Sequence, residues 1–145
     1  NTSAPQFRRQ NDLSVFSKTK KWLDRYFARQ NPDPDIIPLN PQGNTFRQRV
    51  WHLLRDIPYG ELTTYGALAQ KITEQTGCPM SAQAIGGAVG HNPISIIIPC
   101  HRVVSSNNNL TGYAGGIDIK ISLLKTEGVD VSALSLPHRH KKNNF

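Results

Sequence analysis

The sequence predicts a mixed α/β fold in two parts: a short N-terminal segment and a larger C-terminal domain shaped like a winged helix-turn-helix. Three observations carry this. A proline-rich stretch, Asn31-Pro32-Asp33-Pro34-Asp35 followed by Pro38 and Pro41, separates two stretches whose apolar residues recur at helical spacing. Two shorter helical patterns follow, joined by a loop containing Gly77-Cys78-Pro79. The apolar run Ile94-Ser95-Ile96-Ile97-Ile98 then reads as a strand that must stop at Pro99. Two short helices ahead of a strand are the sequence shape of a helix-turn-helix with a wing.

The first helix is expected over 14–29, with Val15, Phe16, Trp22, Leu23, Tyr26 and Phe27 on its apolar face. The proline-rich stretch behind it reads as a stiff linker without helix potential. Thr45 is a fair N-cap for a second helix that places Phe46, Val50, Leu53, Leu54 and Ile57 on one face, and Pro58-Tyr59-Gly60 ends it. Thr63-Thr64 caps a short helix beginning Tyr65-Gly66-Ala67, with a loop from Lys71 to Gly77, and a further helix spans 81–89. The segments are therefore read as 1–41, one helix and a linker; 42–136, the main domain; and 137–145, a tail with the basic run His138-Arg139-His140-Lys141-Lys142.

With 145 residues, 37% of them hydrophobic, the chain is long enough for one real core, and no apolar run approaches the roughly 18 residues of a membrane span. The polar, proline-bearing N-terminus does not read as a signal peptide, so a cytoplasmic location, or a nuclear one in a eukaryotic cell, is expected. Cys78 and Cys100 sit in different settings, so a disulfide between them is open but not implied, and free thiols are the simpler reading. A formal net charge of +7 favours a polyanionic partner, because Lys and Arg that neutralise phosphates release counterions. Gly86-Gly87 inside the last short helix costs roughly 1 kcal/mol per glycine relative to alanine. Close approach of another backbone would compensate, either a DNA strand or a tightly packed helix.

Cys100 stands beside His101 where the isoleucine run ends. Cysteine is nucleophilic as the thiolate, and an imidazole that accepts its proton lowers the pKa from about 8.5. A buried structural cysteine is the plain alternative. Glu127 closes the helix Leu123-Leu124-Lys125-Thr126, where a carboxylate opposes the macrodipole by about 0.3–1 kcal/mol, which suggests a specific partner; a solvated glutamate tolerating that penalty is the plain alternative.

Gly90-His91-Asn92-Pro93-Ile94, Pro99-Cys100-His101-Arg102-Val103, Gly112-Tyr113-Ala114-Gly115-Gly116 and the closing Leu123-to-Gly128 segment together resemble the O6-alkylguanine-DNA alkyltransferases, over about 46–128. The resemblance implies a DNA-repair protein that moves an alkyl group from O6 of guanine in duplex DNA to its own cysteine, once, irreversibly and without a cofactor; O4-alkylthymine is a second substrate it admits. Cys100 matches the acceptor, His101 the base and Glu127 the acid that orients it. Asn92 matches a hinge asparagine. Tyr65 matches the tyrosine that helps turn the nucleotide out, and Tyr113 lies in the loop that walls the base pocket. The carbonyls of Cys100 and Val103 resemble those that read the guanine amino group, and the amide of Ala114 the donor near O6. Gln83, Ala84, Gly86 and Gly87 fall on the DNA-reading helix. Gln83 replaces the usual arginine that fills the gap left by the extruded base, and glutamine lacks the charge and planar fork of guanidinium.

The implied partner is double-stranded DNA containing alkylated guanine, bound by a monomer with no membrane association. Residues 1–41 are read as a reduced remnant of the ribonuclease-H-like domain that relatives carry. No zinc is expected there, because no Cys/His cluster has ligand spacing. Three rivals are weaker. Alkyltransferase-like proteins bind alkylated DNA without repair but carry tryptophan at the acceptor position. A Cys-His thiol hydrolase usually draws its histidine from far away in sequence. A winged-helix regulator would not need Cys100, His101 and Glu127 together.

Overall fold

Helix α1 runs Ser3–Phe27 in the computed structural model, which describes residues 3–110, 113 and 115–134. The chain divides into two units, 1–41 and 42–145. In the first, Trp22 and Tyr26 are buried and stacked with ring centroids 5.5 Å apart. They stand four residues apart on one stripe of the helix, and Trp22 Nε1 donates to the Asp33 carbonyl at 3.0 Å. The rest of the expected apolar face does not follow. Leu23 is half-buried, while Val15, Phe16 and Phe27 are exposed; Phe27 lies about 100° round from Tyr26 and meets its ring edge-on. Helix-forming geometry also enters the expected linker. Asp33 Oδ1 accepts from Asp35 N–H at 2.9 Å and starts a 3₁₀ turn over Pro34–Ile36, where proline supplies a suitable φ.

In the second unit, α2 spans Thr45–Arg55. Its N-cap is Asn44 rather than Thr45, because the longer amide side chain reaches Arg47 N–H at 2.8 Å. Val50, Leu53, Leu54 and Ile57 are buried as the spacing predicts, and Phe46 is half-buried. Trp51 joins them, and its Nε1 donates to the Ala88 carbonyl at 2.9 Å, tying α2 to α4.

Strand β1 (Thr63–Thr64) pairs in parallel with β2 (Val103–Val104), Thr63 opposite Val103. This two-stranded ladder brings the start of α3 (Tyr65–Thr76) against the segment that follows Cys100. Thr64 Oγ1 caps α3, accepting from Ala67 N–H at 3.0 Å. The helix continues through the stretch expected as a loop, because no breaker precedes Gly77, which ends it in the left-handed region at φ 72°. Helix α4 (Ala82–Gly90) starts from the Ser81 cap and buries Ile85, Ala88 and Val89. Among the described residues, a Cβ on Gly86 would meet only the Tyr65 ring, at 3.9 Å, and on Gly87 nothing within 4 Å. Among the described residues no tightly packed helix therefore explains this pair. Helix α5 (Ile117–Thr126) completes the core, Leu124 packing with Val104 and Leu110.

Candidate active site

The isoleucine run is not a strand. It is a chain of turns, closed by Ile98 N–H to the Ile94 carbonyl at 3.1 Å, with Ile96 at φ 72°. A β-branched residue in the left-handed region is strained, so something must hold it. Asn92 does: its Nδ2 donates to the Ile98 carbonyl at 2.8 Å and its Oδ1 accepts from Ile94 N–H at 3.0 Å. One amide side chain thus clamps both ends of the loop in place of a strand ladder. Pro99, at ψ 66°, turns the chain out of it, and Cys100 opens a 3₁₀ turn over Cys100–Arg102.

Cys100 is 7% exposed and lines a cavity of about 40 Å³ together with Tyr65, Asn92, Ser95 and Tyr113. Burial pushes its thiol above the ordinary range. The Asn92 side chain, the charge of Lys120, the backbone amide and the Tyr113 side chain pull it back, in that order. The cavity adjoins a groove of about 540 Å³ between the starts of α3 and α4, lined by Tyr65, Gln83, Gly86, Ser105 and others. Tyr65 and Gly86 line both.

His101 is fully buried, and its Nε2 bonds Glu127 Oε2. Glu127 is the C-cap residue of α5, one position beyond the last turn, and it has the partners its position called for. Its Oε1 accepts from Arg102 Nε at 2.7 Å and from Gly60 N–H at 3.0 Å. With Glu127 an acceptor on both oxygens, Nε2 of His101 carries the proton and Nδ1 is the basic nitrogen. Burial lowers the His101 pKa and outweighs the opposing hydrogen bond and charge of Glu127, so the ring rests neutral.

Three contributors escaped sequence reading. Arg102 is buried, reaches the Ile57 carbonyl through Nη1 at 2.6 Å and lies over the Tyr59 ring, so it anchors Glu127 to the end of α2. Gly60, at φ 79°, brings its amide to the carboxylate from 67 residues away in sequence. Lys120 is fully buried, its Nζ on the Val103 carbonyl at 2.7 Å, and burial lowers its pKa to about 8. A lysine three residues after Ile117 and four before Leu124 falls on the apolar face of α5, and that register was the available signal.

The expected residues thus fall into two groups. Cys100, Asn92, Tyr65, Tyr113 and Gly86 line the thiol cavity, with His101 and Glu127 buried behind it. Gln83 is exposed on the groove, and Ala84 and Gly87 lie on the same short helix. Val103 is buried and its carbonyl already accepts from Lys120, as that of Cys100 accepts from Val103 N–H. Ala114, Gly112 and the basic tail lie outside the described residues. Cys78 is an exposed free thiol. Among the described residues no His, Cys, Asp and Glu gather to hold a metal, and no helix is long and apolar enough to cross a membrane.

Fold and site define a small, mostly helical α/β protein that presents one buried thiol beside an open two-helix groove. The family model for the DNA-binding domain of 6-O-methylguanine DNA methyltransferase matches residues 45–129. The methylated-DNA–protein-cysteine methyltransferase of Haemophilus influenzae is 46% identical over 125 residues, 86% of this chain and 68% of that protein. The crystal structure of the Mycobacterium tuberculosis O6-methylguanine methyltransferase matches with a TM-score of 0.66 at 46% identity, over 77% of this chain and 65% of that one. The same organism's protein in complex with DNA gives 0.68 at 43% identity, over 83% and 70%. The chain belongs to the methylated-DNA–protein-cysteine methyltransferase family. It spans about two thirds of the length of these relatives.

Proposed function

We propose that this chain repairs DNA by taking an alkyl group from O6 of guanine in duplex DNA onto Cys100, in one irreversible turnover. The observation that carries the reading is the buried set in which Glu127 fixes the tautomer of His101 and Cys100 opens on a cavity continuous in its lining with a groove. His101 Nδ1 takes the thiol proton through a water. The sulfur attacks the alkyl carbon, the carbon–O6 bond breaks, and its electron pair goes to the guanine, which is reprotonated on the ring. The products are a thioether and an unmodified base, so the protein is consumed. A base inside a duplex must be extruded to reach Cys100, at a few kcal/mol. On this reading α3 and α4 form the helix-turn-helix, Gln83 stands in the gap left by the base, Tyr65 turns the nucleotide and donates to the ring, and Asn92 couples helix to thiol. Tyr113 walls the base, the carbonyls of Cys100 and Val103 face its amino group, and the amide of Ala114 serves O6. Residues 1–41 are read as a counterpart of part of the family's ribonuclease-H-like domain, and 42–136 as the catalytic domain.

Titration with duplex carrying a tritium-labelled O6-methylguanine tests this. One methyl per chain, with no further turnover in excess substrate, is the expected end point. Continued turnover would mark a hydrolase, and binding without protein-bound label would mark a recognition protein. An O4-methylthymine duplex run in parallel defines the substrate range.

A further inference from the structure

We propose that helix α1 supplies the electrostatic part of DNA binding in this chain, through a stripe of Lys18, Lys21 and Arg25 that takes the phosphate backbone of a duplex. The proposal rests on the DNA-binding function proposed above, but its test uses undamaged DNA and reads no alkyl transfer. Affinity for a duplex irrespective of sequence comes almost entirely from cations that neutralise phosphates. The groove does not provide them. Its described lining includes no Lys or Arg, and Gln83 stands in it. Among the described residues of the second unit, the exposed Lys and Arg are Arg49, Lys71 and Lys125, one each on α2, α3 and α5. Lys71 has Glu74 one turn further along the same helix, while Arg102 and Lys120 are buried on partners of their own.

The formal charge of +7 is concentrated elsewhere: seven of the 17 Lys and Arg fall within 8–29, against two acids, Asp12 and Asp24. Lys18, Lys21 and Arg25 are exposed. At 100° and 1.5 Å per residue they share an arc of about 60° and a run of about 10 Å along the helix. None of the three has an ion-pair partner among the described residues. The dipole at the helix C-terminus accounts for Arg25, in the last turn, but not for Lys18 and Lys21 further back. Buried Trp22 and Tyr26 border the stripe, and the bond from Trp22 to the Asp33 carbonyl fixes that side of the helix, so the cations stand on a held element. A membrane surface is the other polyanion, and it needs an apolar helix face free to enter the lipid. Here Trp22 and Tyr26 are spent within the unit, and exposed Phe16 and Phe27 stand three turns apart.

The experiment follows binding of the full chain to an undamaged, fluorescently labelled duplex by anisotropy between about 50 and 200 mM salt. Lys18→Gln, Lys21→Gln and Arg25→Gln combined are expected to lower affinity at least tenfold and to flatten the slope of log K against log salt by about 2–3. Lys21→Gln alone should flatten it by about one. Lys20→Gln removes the same charge about 100° round the helix and should leave the slope nearly in place. Glutamine forms helix about as well as lysine or arginine, and circular dichroism checks each variant. Should the triple variant lose helix, the two single variants decide by the same slopes. An unchanged slope in the folded triple variant overturns the proposal. So does an equal loss from Lys20→Gln and Lys21→Gln, which would mark diffuse charge rather than a face. Vesicles of phosphatidylserine and phosphatidylcholine are run beside the duplex, and a triple variant that loses the vesicles but keeps the duplex assigns the stripe to lipid headgroups and overturns the proposal as well. Failure of methyl transfer in the parent chain would instead count against the function proposed above and leave these slopes as they are.

Discussion

Glu127 and His101 meet entirely out of solvent, Oε2 against Nε2, at the seam where the C-cap of α5 closes on the turn that carries Cys100. The neutral amide in Glu127→Gln keeps the shape but lets the imidazole take either tautomer, and it leaves Arg102 buried without its anion. Alkyl transfer is expected to slow by about 10²-fold, the scale of general acid–base contributions. Removing one member of a buried ion pair should also cost about 3–5 kcal/mol. Single-turnover kinetics and urea unfolding read the two effects separately.

Asn92 holds Ile94 and Ile98 around a strained Ile96. Asn92→Ala should free the loop, displace the sulfur and reduce the transfer rate at least tenfold while DNA affinity changes little. Equal losses of rate and affinity would argue against the clamp.

Gln83 lies exposed on the groove at the start of α4. Gln83→Arg should raise both duplex affinity and transfer rate, each by several-fold, with a steeper salt dependence of binding. Fluorescence anisotropy at two salt concentrations and single-turnover rates check this, and no gain in either removes the significance given to the glutamine.

A Cβ at Gly43 would stand 2.5 Å from the Trp51 ring, which its bond to the Ala88 carbonyl prevents from moving aside. Gly43→Ala is therefore expected to destabilise the fold by about 1–3 kcal/mol in urea, with the chemistry of Cys100 unchanged.

Stability should depend on pH through three buried groups. His101 is lowered from 6.5, so the unfolded chain binds more protons as pH falls through that value, and stability is lost on the acid side. Cys100 is raised from 9.0, so stability is lost as pH rises beyond it. Lys120 is lowered from 10.5 to about 8, which raises stability across that interval and masks the loss from Cys100. Melts across pH 4–10 should show the acid limb shrink in His101→Asn and an alkaline decline emerge in Lys120→Met.

The chemistry was legible because it is local. Pro99-Cys100-His101-Arg102-Val103 places thiol and base side by side, and Asn92 before Pro93 marks the turn that supports them. The isoleucine run was misread because four β-branched residues in five read as a strand by composition, whereas the bonds that shape it come from the Asn92 side chain. Helix α1 was expected to bury a broad face, but among the described side chains only the Trp22–Tyr26 stripe is fully covered, which spacing alone does not specify. What holds Glu127 was hidden by distance: Gly60 and Arg102 reach it from 67 and 25 residues away. Lys120 was hidden by type, since an isolated lysine in a helix is ordinarily read as solvated.

Intact-protein mass after incubation with duplex containing O6-methylguanine, beside Cys100→Ala, tests the assignment of Cys100 most directly. A gain of about 14 Da, one methylene, that maps to Cys100 and is absent from the variant is the result expected of a thiol alkylated through displacement. Unchanged mass in a protein that binds the same duplex would contradict it.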